Sequence, residues 1–217
     1  MGWKSYFYPQ TLARFSTTYN RDIRVVESFG KLKLLVNGSP QSGPYIESLW
    51  RHVFRKFGTR IPHPIKRILV MGVGGGTVIE MLANMYPDSE ITAVDIDKKI
   101  VEIGKKYFFR KNVSNISILI GNAEEVVMKL GEKESPYDLI VVDLFIGKDI
   151  PTFVSEEVFL MNVRLLVRYG GAVVVNFLQE REYKALSNSL LDKLTGIFLS
   201  VRDTKIFLNR FFFCIKE

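Results

Sequence analysis

From residue 68 onward the sequence alternates short, uninterrupted apolar runs at 68–71, 91–94, 116–120, 139–142 and 172–175 with longer amphipathic stretches near 77–86, 98–108, 123–130 and 155–167. A strand with one solvated face alternates apolar and polar residues, so runs without that alternation belong to strands covered on both faces. A parallel sheet sandwiched between helices is the usual source of such strands. The pattern predicts a doubly wound α/β domain. Two further β-rich runs, 196–201 and 207–215, are separated only by residues 202–206. That is too short for a crossover helix, so the sheet is expected to have seven strands, mainly parallel, with an antiparallel end.

Ahead of this domain, residues 23–28 and 31–36 partly alternate apolar with polar residues around Phe29-Gly30, which predicts a β-hairpin. After a Gly-, Pro- and Ser-rich stretch at 37–44, Ile46, Leu49, Trp50, Val53, Phe54 and Phe57 recur at three- and four-residue spacing, with Arg51, Arg55 and Lys56 between them. They form one apolar helix face. Residues 59–64, with two prolines, read as a linker. The chain thus divides into a small N-terminal unit of hairpin and helix, 1–58, and a Rossmann-like domain, 59–217.

Composition narrows the function classes. The net charge of +7 lies in the N-terminal part, where residues 1–67 carry 12 lysines and arginines against 3 acids, whereas 68–217 carry 18 against 20. Such a segment suits an acidic partner such as nucleic acid, but it holds no nucleic-acid motif, and a solvated basic surface is the favoured reading. No apolar run reaches the roughly 18 residues that span a bilayer, and the first residues lack a secretion-signal pattern. A cytoplasmic protein without membrane contact is expected. The single cysteine, Cys214, permits no internal disulfide, reads as a small core residue and leaves no Cys-based metal site; no metal is expected.

The chemistry concentrates where strands end. The first strand of the main domain leads into Gly72-Val73-Gly74-Gly75-Gly76-Thr77 and then directly into a helical pattern. Glycines let the backbone turn sharply and bring its N–H groups to a ligand at a helix N-terminus, where negative charge is favoured. The next strand ends in Val94-Asp95-Ile96-Asp97, and Asp95 lies 19 residues beyond Gly76. A doubly wound fold places there the acid that binds ribose hydroxyls. Asp97 fits a helix cap better, because the helical pattern starts at Lys98. Nicotinamide dinucleotides use a similar loop, but Thr77 stands where their third fingerprint glycine would fall.

The third and fourth strands end in Gly121-Asn122-Ala123 and Val142-Asp143, and parallel strands deliver these ends to one edge of the sheet. Asn122 suits an adenine edge. Asp143, emerging from an apolar strand, is a candidate general base with a pKa raised by desolvation. Asp138, at the other end of that strand, reads as structural.

At these residues the sequence resembles the spermidine synthase family, the polyamine aminopropyltransferases, which share the class I S-adenosylmethionine methyltransferase fold. The resemblance runs from the hairpin to about Asn176. Within it, Val36-Asn37-Gly38 followed by Gln41 and Tyr45-Ile46-Glu47 is similar to the family's Asp-Gly, Gln and Tyr-x-Glu pattern, which implies that Gln41 touches the cofactor and Tyr45 lines the substrate side. It likewise implies that Asp95-Ile96 binds ribose, that Asn122-Ala123 contacts adenine, and that Asp143 acts on the attacking amine. A homodimer or larger assembly is implied too.

Two departures alter the expected activity. Where the family has Gly-Gly-Gly-Asp-Gly-Gly, the acid is replaced by Gly75, and the second acid of Asp-Ser-x-Asp is Ile146. A buried polyamine needs carboxylates around it; Asp149 is a candidate substitute from the same loop. Loss of the acid at Gly75 also suits a ligand carboxylate, which S-adenosylmethionine has and its decarboxylated form lacks. The expected activity is therefore methyl transfer from S-adenosylmethionine to a small-molecule acceptor near Asp143. The catalytic candidates are Asp143 and Tyr45, and the cofactor ligands are Gln41, Gly72, Gly74, Gly75, Gly76, Asp95, Ile96, Asn122, Ala123 and Asp143. Aminopropyl transfer from decarboxylated S-adenosylmethionine to a diamine is the alternative, and a non-catalytic protein with a basic N-terminal interface is the third reading.

Overall fold

The computed structural model describes residues 3–61, 63–109, 115–131, 136–180 and 182–217. Pro62 of the expected linker and the first two residues of the chain fall outside them. The main sheet has seven strands in the order β10-β11-β9-β8-β5-β6-β7. The parallel part comprises β5 (Arg67–Met71), β6 (Glu90–Asp95), β7 (Ile116–Ile120), β8 (Tyr137–Val142) and β9 (Val167–Leu178). The last two strands, β10 (Ser200–Ile206) and β11 (Asn209–Ile215), form an antiparallel pair, with β11 also antiparallel to β9.

The apolar runs are continuous because each strand feeds two cores. Ile68 and Val70 face one side with helices α1 (Pro44–Phe57) and α2 (Thr77–Met85). Leu69 and Met71 face the other with α4 (Ala123–Gly131), α5 (Glu157–Leu166) and α6 (Lys184–Ile197). On β11 the same alternation sends Phe211 and Phe213 to the first core and Phe212 and Cys214 to the second. Cys214 is accordingly a buried strand residue, and burial pushes its thiol well above the ordinary range.

The N-terminal hairpin is the centre of a four-stranded antiparallel sheet, in which β1 (Gln10–Phe15) and β4 (Ser39–Ser42) flank β2 (Ile23–Ser28) and β3 (Lys31–Val36). Its apolar face, Ile23, Val25, Leu34 and Val36, packs on Ile100 and Ile103 of α3 (Lys98–Ile103). That contact carries β4 to the edge of the main sheet where parallel strands end. Residue 58 marks the end of α1, whose apolar face enters the main core: Trp50 meets Phe211 edge-on at 5.1 Å, and Phe57 stacks on Phe213 at 4.9 Å.

The sheet's antiparallel end is displaced from its expected register. Residues 196–197 finish α6, and residues 202–206 lie within β10 rather than joining two strands. An edge strand is half exposed and tolerates Arg202 and Asp203, so a search for wholly apolar runs passes over it. The same reason hid β1 and the polar β4.

Candidate functional site

Immediately after β5 the chain turns through Gly72, Gly74 and Gly76, all in the left-handed region at φ 97°, 51° and 92°. Neighbouring backbone is too close for a side chain: a Cβ on Gly74 would lie 2.8 Å from the Gln41 carbonyl oxygen. Asp95, the last residue of β6, holds this loop from below. Its Oδ2 accepts from the N–H of Val73 at 3.0 Å and of Gly74 at 3.4 Å, and its Oδ1 accepts from the N–H of Asp97 at 2.9 Å. Burial raises its pKa, against the three N–H groups that favour the charged form. A carboxylate offers about four acceptor positions, so about one remains for a ligand hydroxyl.

Gly75 and Gly76 serve packing. Without a side chain, Gly75 lets Ser42 sit against the loop, since a Cβ would stand 2.5 Å from the Ser42 Oγ. Thr77 secures the contact by donating to Ser42 Oγ at 2.9 Å and accepting from the Gly43 N–H at 3.2 Å. Gly76 lies against the Phe109 ring, 2.1 Å from a notional Cβ. Neither glycine lines the crevice, whereas Gly72 and Gly74 do.

The crevice over the strand ends has two lobes. One, about 140 Å³, is lined by Gly72, Asp95, Ile96, Asn122, Ala123 and the loop residues Phe145 and Ile146. The other, about 40 Å³, is lined by Gly74, Asp95, Gln41 and Asp143 among others. Asn122 caps α4 by accepting the Glu124 N–H on Oδ1 at 3.0 Å, which leaves its Nδ2 without a partner among the described residues. Gln41 reaches across from β4 and donates to the Gly147 carbonyl at 2.7 Å. Asp97 caps α3 through the Lys99 N–H and accepts from Thr17 and Asn20, tying the N-terminal sheet down beside the crevice.

Asp143 stands between this crevice and a larger cavity of about 470 Å³, which Tyr45, Ile46, Leu49 and Trp50 of α1 line from one side and Asn176, Leu178 and Asn209 from the other. Desolvation pushes the Asp143 carboxyl up to about 6, opposed by the Asn176 amide at 2.7 Å and by the nearby Trp50 indole. Among the described residues no hydrogen bond of good geometry satisfies the Trp50 N–H. Tyr45, at the first turn of α1, leans on Phe207 with ring centroids 5.8 Å apart, and burial raises its phenol pKa. Asp149 is exposed and accepts from the Tyr183 hydroxyl at 3.2 Å, outside the larger cavity; carboxylates in that cavity come instead from Glu180 and Glu182, with Lys148 nearby.

Asn176, Asn209, Ser42 and the two glutamates were not anticipated from sequence. Asn176 did leave a signal, a polar residue interrupting the apolar series Val173-Val174-Val175 and Phe177 at the strand's carboxyl end. Among the described residues no group of three His, Cys, Asp or Glu could hold a metal, and no helix is long and apolar enough to cross a membrane.

Residues 68–166 match the family described as methyltransferase domain. A polyamine aminopropyltransferase of Vibrio vulnificus is 36% identical over 115 residues, covering 53% of this chain and 38% of that protein. Among solved structures, a probable spermidine synthase from Corynebacterium glutamicum superposes with a TM-score of 0.76 at 18% identity, over 94% of this chain and 79% of that one. Human methyltransferase-like protein 13, solved in complex with SAH, superposes with a TM-score of 0.64 at 23% identity, over 80% and 81% of the two chains. The chain therefore has the fold that class I S-adenosylmethionine methyltransferases and spermidine synthases share. It spans little more than a third of the Vibrio protein's length.

Proposed function

We propose that this chain is an S-adenosylmethionine-dependent methyltransferase acting on a small nucleophile, most simply an amine, held in the larger cavity. The observation that carries the reading is the place of Asp143, which lines both that cavity and the crevice formed by Gly72, Gly74 and Asp95. The crevice residues fit an adenosyl group: Asp95 retains an acceptor position for a ribose hydroxyl, and Asn122, in the same lobe as Gly72, has an amide with no partner among the described residues for the adenine edge. When bound, S-adenosylmethionine supplies an electrophilic methyl carbon on a sulfonium. The aromatic wall of Tyr45 and Trp50 orients the acceptor and excludes water, and Asp143 takes up the proton that an amine releases as its nitrogen forms the new bond. A carboxyl near pH 6 is mostly ionised at pH 7 and so is ready to accept it.

Ser42 fills the space that an acidic side chain at Gly75 would need. Isothermal titration of the chain with S-adenosylmethionine and S-adenosylhomocysteine is expected to show binding of both; binding of neither would overturn the reading.

Glu180 and Glu182 support a second reading, aminopropyl transfer to a diamine, because a distal ammonium group would find carboxylates at the cavity. Preferential binding of decarboxylated S-adenosylmethionine, with spermidine formed from putrescine and detected by mass spectrometry, would replace the first reading with this one.

A further inference from the structure

Strand β9 presents Asn176 near its carboxyl end, on the face that carries Ala172 and Val174 into one core, while its neighbours Val175 and Phe177 enter the other. A carboxamide so placed is unfavourable unless its donor and acceptor are both matched. Nδ2 donates to Asp143 Oδ1 at 2.7 Å, and Oδ1 accepts from Asn209 Nδ2 at 2.8 Å. The two asparagines are 4% and 8% exposed and come from the neighbouring antiparallel strands β9 and β11. Both line the larger cavity beside Asp143, and neither lines the crevice.

The three side chains form a directional series. Asn209 orients Asn176, and Asn176 turns its amide, rather than its carbonyl, toward the carboxylate. A carboxylate on a single rotatable stem can swing its two oxygens; this one has Oδ1 held from strand β9, so Oδ2 is the oxygen left to meet an acceptor. An aspartate in place of Asn176 would confront Asp143 with a second negative charge, whereas the amide supports the charged form without competing for the proton.

We propose that Asn176, braced by Asn209, is a positioning residue that clamps the Asp143 carboxylate toward the acceptor cavity. The purpose of the clamp rests on the reading of Asp143 as proton acceptor. The titratable groups that share its two cavities are Tyr45 on α1, Asp95 and Asp97 at the end of β6, Lys148 in the loop after β8, and Glu180 and Glu182 beyond β9. None of them is hydrogen-bonded to it among the described residues.

The test is a carbon-13 NMR titration of the Asp143 side-chain carboxyl in the whole chain, for the natural sequence, Asn176→Leu and Asn209→Leu, alongside thermal unfolding and S-adenosylmethionine titration. Asn176→Leu is expected to raise the Asp143 pKa by about one pH unit, a tenfold change in proton affinity. Asn209→Leu is expected to raise it less. An unmoved Asp143 pKa in the folded variants would overturn the clamp; if Asn176→Leu does not fold, Asn209→Leu decides by the same criterion. Absence of cofactor binding by the natural chain would overturn the functional reading alone, since the carboxyl titration judges the clamp without any cofactor.

Discussion

A Cβ on Gly72 would stand 2.0 Å from the carbonyl oxygen of Asp143. The backbone of the glycine loop and that of the strand carrying the candidate base are therefore in direct contact. The contact is fixed on both sides, because the Gly72 N–H donates to Val94 at 2.8 Å and the Asp143 N–H donates to Met71 at 2.8 Å. Gly72→Ala has no room to relax, and its φ of 97° is unfavourable for any L side chain. It is expected to lower unfolding stability by about 3 kcal/mol and, by parting β5 from β8, to weaken S-adenosylmethionine binding about tenfold or more. Urea unfolding and isothermal titration measure the two effects separately.

Gly75 is constrained differently. Its φ is ordinary, and the obstacle is the Ser42 side chain at 2.5 Å. Gly75→Asp, which restores the acid of the spermidine synthase pattern, should cost roughly 2 kcal/mol alone. Combined with Ser42→Gly, much of that cost should return, giving a coupling of about 1 kcal/mol or more in a double-mutant cycle by urea unfolding. Additive effects would mean that Ser42 does not occupy the acid's place.

Much of this site was legible because its parts lie at the ends of apolar runs. Asp95, Asn122 and Asp143 each follow such a run, and the topology brings them to one edge. Asp97 was readable as a cap from the helical pattern that follows it. What lay hidden depends on contacts between distant segments: Ser42 on Gly75, Gln41 on Gly147, and Asn209 on Asn176 have sequence separations that no local periodicity reports. The packing of Gly75 on Ser42 was hidden because spacing gives a glycine's place in a loop, not the direction its missing side chain would take. Strands β1, β4 and β10 were missed or misplaced because edge strands carry polar residues.

Asp143 makes stability depend on pH in an uncommon direction for a carboxylate. Its folded pKa of about 6 exceeds the value of about 3.9 for an unfolded Asp. The folded state therefore binds the extra proton between these values, so the group's contribution is most favourable below about pH 4, declines as pH rises, and is fully unfavourable above about 6. The span corresponds to roughly 2 to 3 kcal/mol. Asp143→Asn, whose amide oxygen can still accept from Asn176, is expected to stabilise the chain by up to that amount at pH 8 and by little at pH 4 in urea unfolding. Transfer activity should fall by about 10² to 10⁴.

Asp138, at the other end of the same strand, should behave oppositely. Its burial works against the charge, but the Arg168 guanidinium and the N–H groups of Lys66 and Arg67, at 2.7 and 2.8 Å, outweigh it and hold the pKa below the usual range. A depressed folded pKa gives stability that is present above the unfolded value of about 3.9 and is lost as pH falls through the folded one. Asp138→Ala also strands two backbone donors at the start of β5, and is expected to cost about 3 kcal/mol at pH 7. The difference from the natural chain should shrink below about pH 4, as the natural carboxylate itself takes up a proton. Cofactor titration should be unaffected, because Asp138 begins β8 whereas the crevice lies at the strand's other end. A loss of binding together with stability would mean that Asp138 acts on the site through β8.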